Sequence, residues 1–233
     1  MSAYPDGVRA RNAWVVARRG PKASLDPFVP YGILREEEID ALGRLLPSVV
    51  VLITNRECPL RCVFCDLWQN TLDARVPKGA IAAQVRSALA RVPGALLAKL
   101  YNAGSFFDPN AIPVDEYGEI ADALGPVEHV VVESHPSFVG ERALRFRDVM
   151  GARTLEVAIG LETVEPGVLE RLNKGMTVRS FERAAAFLER EGIGLRVFVM
   201  LQPPFSSVRE SVVPALVSVE SRSSSSNTIV RMP

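Results

Sequence analysis

Val49-Val50-Val51-Leu52-Ile53-Thr54, followed after Asn55 by Arg56-Glu57-Cys58-Pro59-Leu60-Arg61-Cys62-Val63-Phe64-Cys65-Asp66-Leu67-Trp68, is the stretch from which the fold is read. The first part is an uninterrupted β-branched apolar run, the pattern of a strand buried on both faces. The second part holds all 3 cysteines of the chain. The thiols therefore project together from the C-terminal end of a buried strand, where barrels of alternating strands and helices place their chemistry.

Downstream of this loop the pattern alternates regularly. Ala80 to Val92 carries an apolar stripe at Ile81, Val85, Ala88, Leu89 and Val92, a helix that Pro93-Gly94 terminates before a strand through Leu96, Leu97, Lys99 and Tyr101. Pro113 suits the first turn of a helix reaching about Leu124, and His129 to Glu133 is the next strand. Ser137 is placed to cap a helix to Met150, before a strand over Leu155 to Gly160. Thr177 opens a helix that Gly192 closes, and Leu195 to Met200 is the following strand. Strands separated by single helices imply an α/β fold with a parallel sheet and helices outside it. Val212 to Val219 reads as a further helix, Ser221 to Ser226 as a polar run, and Thr228-Ile229-Val230 as the start of a sixth strand at which the chain is expected to be truncated.

Upstream, Pro5, Pro21, Pro27 and Pro30 give residues 1–32 the look of an extended lead-in. Its Arg9, Arg11, Arg18 and Arg19 suggest a basic contact arm or a solvated tail folded over the barrel. Leu34 to Leu46 reads as a hairpin turning through Asp40 to Gly43 into the first core strand, with a helix as the competing reading. The expected division is an N-terminal extension over 1–47 and a core over 48–233.

Three thiolates with gaps of three and two residues can close around one corner of a metal centre. A structural zinc would need a fourth ligand, for which only His129 and His135 exist. A cubane iron-sulfur cluster usually takes four cysteines, so three would leave one iron open to an outside ligand. An odd number of cysteines argues against a disulfide framework.

The Cys-x3-Cys-x2-Cys pattern after a first strand, with Phe64 just before the last cysteine, resembles the radical S-adenosylmethionine (radical SAM) enzymes. That resemblance implies a partial (βα)6 barrel with parallel strands. It also implies a 4Fe-4S cluster on Cys58, Cys62 and Cys65 whose open iron chelates S-adenosylmethionine, and reductive cleavage of that cosubstrate to a 5'-deoxyadenosyl radical for hydrogen abstraction. An electron donor such as flavodoxin or ferredoxin is implied as a partner. Phe64, Asn102, Gly104, Ser105, Glu133 and Glu162 are the candidates for holding the cosubstrate. Tyr101-Asn102-Ala103-Gly104-Ser105 stands where relatives have a Gly-Gly-Glu-type turn against the methionyl amine, and an ordinary strand-to-helix turn is the alternative. Glu133 and Glu162 end two strands, where a carboxylate suits a ribose or a sulfonium; a solvated strand-end glutamate is the alternative for Glu133. His135 reads as a loop histidine, Phe106 and Phe107 as core, and Gln202-Pro203-Pro204-Phe205 as an adenine wall or a strand terminator. No residue is assigned as catalytic.

Glu133-Ser134-His135-Pro136 and Gly160-Leu161-Glu162-Thr163, with Leu169-Glu170-Arg171-Leu172-Asn173-Lys174-Gly175, narrow the likeness over about residues 25–205. They resemble the branch that contains the radical domain of Elongator's catalytic subunit and the radical subunit of archaeosine synthase. Several members of that branch act on tRNA, so tRNA modification is implied by analogy. A small-molecule or peptide substrate and a non-catalytic zinc scaffold stay open.

Composition is that of an ordinary globular chain: 233 residues, 48% hydrophobic and 23% charged. Lys plus Arg and Asp plus Glu both total 27, so no global field favours nucleic acid or an anionic membrane. No apolar run approaches the roughly 20 residues of a membrane span, and no signal-peptide pattern precedes the core. A cytoplasmic protein without a membrane partner is expected.

Overall fold

The structure, a computed structural model, describes residues 4–40, 43–206 and 230–231. Strands β1 (Gly32–Ile39), β2 (Leu45–Leu52), β3 (Leu97–Tyr101), β4 (His129–Glu133), β5 (Thr154–Glu162), β6 (Gly194–Val199) and β7 (Val230–Arg231) form a 7-stranded sheet in sequence order. β1 pairs antiparallel with β2, from Gly32 opposite Leu52 to Ile39 opposite Leu45. Every later pairing is parallel. The hairpin reading of 34–46 is therefore correct, and the α/β reading with parallel core strands holds. Asp40 sets the turn, its Oδ1 accepting from Arg44 N at 2.8 Å. The sheet includes all of β1 and the start of β2, both upstream of residue 48.

Helices α1 (Val8–Val16), α2 (Ala80–Arg91), α3 (Tyr117–Ala123), α4 (Glu141–Val149), α5 (Pro166–Arg171) and α6 (Val178–Arg190) are the α-helices among the described residues. α2, α3, α4 and α6 cover the outer face of the sheet, where Val49, Val51, Leu100, Val132, Val157 and Ile159 join one core with Ile81, Val85, Ile120, Phe146 and Leu188. Phe106, Phe107, Tyr117 and Phe146 are fully buried there, with Phe106 and Phe146 ring centroids 4.7 Å apart. Each such side chain contributes roughly 1.5–3 kcal/mol by leaving water. The opposite face carries Leu97, Val131 and Ala158, closed over by Tyr101 and Phe198. Burial on both faces is why the strands read as continuous apolar runs rather than alternating ones.

Beneath that layer, at the N-terminal ends of the strands, lies a buried ion cluster. Lys99 of β3 meets Glu36 at 2.7 Å and Glu38 at 2.5 Å, both on β1. Arg196 of β6 meets Glu38 at 2.6 Å and also pairs with Glu156 of β5. Lys99, Glu38 and Arg196 are only 6%, 1% and 2% exposed. The β1–β2 hairpin thus supplies the counterions for cations that two other strands point inward.

Three sequence expectations change. Residues 8–16 are helical rather than extended, because α1 is held by tertiary contacts: buried Arg11 donates to Glu170 O at 2.9 Å and Tyr4 Oη to Arg171 O at 2.7 Å. Ser137 caps no helix: its Oγ lies 2.7 Å from His135 Nδ1, which also accepts from its N–H at 3.2 Å, a 3-10 turn covers Pro136–Phe138, and α4 starts only after Gly140. α5, placed in no element by the sequence reading, has only 6 residues, too few to register a helical period. By contrast Thr177 does open α6, through a reciprocal capping box with Ser180. The expected helix over 212–219 and the serine run lie outside the described residues. Among the described residues no helix is long and apolar enough to cross a membrane.

Candidate active site

The cysteine loop leaves β2 through a fixed exit. Gln84 of α2 accepts from Thr54 N and donates to Thr54 O, both at 2.9 Å, so the helix locks the strand end. Leu72 N donates to Asn55 O at 2.8 Å and Glu57 N to Leu72 O at 2.9 Å, tying the returning end of the loop to its start. The far side is pinned by the segment after α5. Val63 N donates to Leu172 O at 3.0 Å, and Asn173 Nδ2 donates to both Arg61 O and Asn12 Oδ1 at 2.8 Å. Asn173 sits at φ 59, the left-handed conformation in which asparagine ends helices.

All three cysteines are free and half-buried, and all three line one cavity of about 250 Å3 at the C-terminal ends of the strands. Burial pushes the Cys58 thiol up to about 11 and Cys62 up to about 12, and raises Cys65 as well. The other cysteines push in the same direction, so the thiols stay protonated until a cation arrives to take them as thiolates. Glu57, beside Cys58, gathers Lys22 at 2.6 Å, Arg19 at 2.7 Å and Arg61 at 3.1 Å. Burial opposes ionisation of this carboxyl, but Lys22 and Arg19 hold it below the usual range.

Phe64, Gly104, Ser105, Glu133 and Glu162 share that cavity with the cysteines. Asn102 does not line it: its side chain is fully buried behind the turn, and neither Oδ1 nor Nδ2 has a partner. Glu133 reaches across from β4 to the turn after β3, accepting at Oε1 from Asn102 N at 2.8 Å and Gly104 N at 3.4 Å. Burial raises its carboxyl to about 7, against the pull of those N–H groups. Gly104 is close to Cys58, since a Cβ on it would sit 3.4 Å from the cysteine Cβ. Ser105 Oγ accepts from His135 N at 2.9 Å, fastening the two turns together.

Glu162 follows a register shift between Gly160 and Glu162, and takes φ 65. This bulge turns its carboxylate to Lys174 Nζ at 2.5 Å. Lys174, which the sequence reading gave no role, also lies 5.9 Å over the Phe64 ring and lines the cavity. Its signal was present in the Asn173-Lys174-Gly175 run, but a lysine after a short helix ordinarily reads as solvated.

His135 also lines the cavity, yet both ring nitrogens are engaged. Nδ1 accepts from Ser137 N, so Nε2 carries the proton and donates to Lys174 O at 3.1 Å. Burial holds it neutral, with its pKa down at about 4. His129 is at the other end of β4, 2.7 Å from Thr154 Oγ1. Phe205, at the end of the segment read as an adenine wall or a strand terminator, stacks on Tyr4 at 4.9 Å with Arg171 above it at 4.0 Å. Among the described residues no three His, Cys, Asp or Glu side chains converge as a single metal ion requires. A cluster of several irons bonds each thiol to a different iron, so it needs three reduced thiols facing one cavity, which is the donor set present here.

No family model matches the chain. In sequence it is 28% identical over 166 residues to archaeosine synthase subunit beta of Thermococcus kodakarensis, covering 68% of this chain and 51% of that protein. It is also 28% identical over 138 residues to the same subunit of Methanosarcina acetivorans, covering 57% and 40%. The chain thus spans about half the length, or less, of these curated relatives. In structure it superposes on the radical S-adenosylmethionine methyltransferase TsrM of Kitasatospora setae with TM-score 0.52 and 18% identity, over 73% of this chain and 33% of that one. The fold is that of the radical SAM barrels, and the sequence likeness runs to the archaeosine synthase branch.

Proposed function

We propose that this chain of radical SAM fold is an enzyme that holds an iron-sulfur cluster on Cys58, Cys62 and Cys65 and binds S-adenosylmethionine in the adjoining cavity. One observation carries the reading: three reduced thiols, a lysine–glutamate pair and a glutamate-braced turn line the same cavity at the C-terminal strand ends. When bound, such a cluster supplies the single electron that cleaves the cosubstrate to a 5'-deoxyadenosyl radical, and a flavodoxin- or ferredoxin-type protein is the donor we propose.

The chain's own residues bind and orient. Lys174 is a cation for the methionyl carboxylate, exchanging it for Glu162. Glu162, so released, and Glu133 present oxygens to the ribose hydroxyls and the amine. Phe64 and Phe198 give the cavity apolar lining that excludes water from a reactive carbon radical. Zinc is the weaker reading, since both nitrogens of His135 are engaged and His129 is at the wrong end of β4.

A tRNA nucleoside is the substrate class we propose, a reading that the relatives named archaeosine synthase support. The N-terminal arginines give this partial help. Arg11 and Arg19 are drawn into the interior, whereas Arg9 and Arg18 are exposed, Arg18 donating to Trp14 O at 3.0 Å with its guanidinium 3.6 Å over the Trp14 ring.

Anaerobic reconstitution with iron and sulfide tests the proposal. A brown protein that binds several irons per chain and, with dithionite, converts S-adenosylmethionine to 5'-deoxyadenosine is expected. A colourless protein holding one zinc sinks the reading. For the substrate, tRNA binding at two salt concentrations is compared with that of an Arg9→Ala/Arg18→Ala variant. Salt-insensitive binding, or none, removes RNA as the substrate.

A further inference from the structure

We propose that Arg19, brought in from the N-terminal segment outside the barrel, compensates the charge of the cysteine site and thereby sets how readily a cluster there accepts an electron. The inference rests on the cluster reading above. Arg19 lines the same cavity as the three cysteines, and its side chain is only 12% exposed. It is clamped on both flanks of the cysteine loop: Nη1 meets Glu57 at 2.7 Å just before Cys58, and the guanidinium lies 4.9 Å over the ring of Trp68 just after Cys65. Its backbone N–H closes the end of α1 on Val16 O at 3.1 Å, so the docking of that helix fixes where the cation stands.

Two features point to an anion not yet accounted for. Arg19 Nε is buried and has no hydrogen-bond partner. Buried donors in native proteins nearly always have one, and a charged donor has most to gain from an acceptor. Within the surrounding group, Arg19, Lys22 and Arg61 share the carboxylates of Glu57 and Asp73, three cations to two anions. Lys174, the cation on the far side of the cavity, is committed to Glu162, and Arg61 turns donors to Cys58 O and Leu60 O as well as to Glu57. Three cluster-bound thiolates would bring negative charge to this wall, and a thiolate or sulfide sulfur would be an acceptor for the free N–H. Positive charge and hydrogen bonds to cluster sulfurs favour the reduced state, because reduction adds an electron to an already anionic group.

The test compares wild-type, Arg19→Gln and Arg19→Lys proteins, all reconstituted anaerobically, by iron content and by redox titration of the cluster followed by electron paramagnetic resonance. Arg19→Gln is expected to load wild-type iron but with a more negative midpoint potential, and Arg19→Lys to recover part of the shift because charge is restored without the planar fork. A fully loaded Arg19→Gln protein with the wild-type potential overturns the inference. If Arg19→Gln does not load, Arg19→Lys decides: normal loading supports the charge role, whereas failure of both makes Arg19 a structural clamp and overturns it. Wild-type protein that loads no iron removes the cluster reading, and this inference with it.

Discussion

Lys174 Nζ lies 2.5 Å from Glu162 Oε1, and the two atoms fill the space in which a side chain on Gly160 would have to stand. The glycine is therefore a requirement of the ion pair rather than of a turn. Gly160→Ala is expected to push aside the far ends of these two flexible side chains, at the low end of overpacking, about 1 kcal/mol, and to weaken S-adenosylmethionine binding. Urea unfolding and equilibrium dialysis measure the two effects. Unchanged values in both would mean that the pair repacks without cost.

Glu162 holds φ 65, where a Cβ is disfavoured by roughly 1–2 kcal/mol. Glu162→Gly and Glu162→Ala both delete the carboxylate, but only the first relieves the backbone. The glycine variant should be the more stable of the two by about 1 kcal/mol. Equal unfolding midpoints would show that the bulge carries no strain.

Cys58→Ala, Cys62→Ala and Cys65→Ala should each lose most of the reconstituted iron, since no other cysteine exists to replace the missing ligand. Iron and sulfide analysis checks this directly. A single variant that keeps its full iron content shows that the ligand set is assigned wrongly.

Glu133 and His135 should tilt the stability of the metal-free protein in opposite directions. Glu133 has its folded pKa raised to about 7 from 4.5, so the unfolded chain releases its proton first and stability falls as pH rises through that window. His135 has its folded pKa lowered to about 4 from 6.5, so the unfolded chain gains a proton first and stability falls as pH drops through its window. Between about pH 4.5 and 6.5 the two oppose each other. In that range Glu133→Gln should make stability climb with pH, and His135→Asn should make it decline, in denaturant titrations at several pH values. Parallel profiles for both variants would contradict the assignment.

The buried ions under the cavity should be costly to unbalance. Glu38→Gln leaves Lys99 and Arg196 without their shared carboxylate, and a loss of about 3–5 kcal/mol is expected. A loss below about 1 kcal/mol, the value of a surface pair, would mean that water reaches the cluster.

Much of this was legible in the sequence. Short gaps placed Cys58, Cys62 and Cys65 in one loop, and apolar runs located β2 to β6 because burial on both faces leaves few polar positions, Lys99, Glu156 and Arg196 among them. Thr177 signalled the start of α6 through local side-chain-to-backbone bonds. Contacts distant in sequence left no such mark. Asn102 looked available beside Gly104, yet the turn directs it into the protein and presents Ser105 and Glu133 instead.

What the sequence determined by itself is what depends on neighbours a few residues apart: the parallel α/β order and the thiol spacing suited to a metal cluster, whereas at 34–46 it favoured a hairpin over a helix and the pairing of β1 with β2 decided. The tertiary structure alone decided the rest. It made a helix of residues 8–16 by docking Arg11 on Glu170, set Arg19 into the cysteine wall, matched Glu38 to Lys99 and Arg196, and folded Lys174 over Gly160 onto Glu162. A charged side chain in a sequence reads as solvated, and only the assembled fold shows that burial and an opposite charge await it.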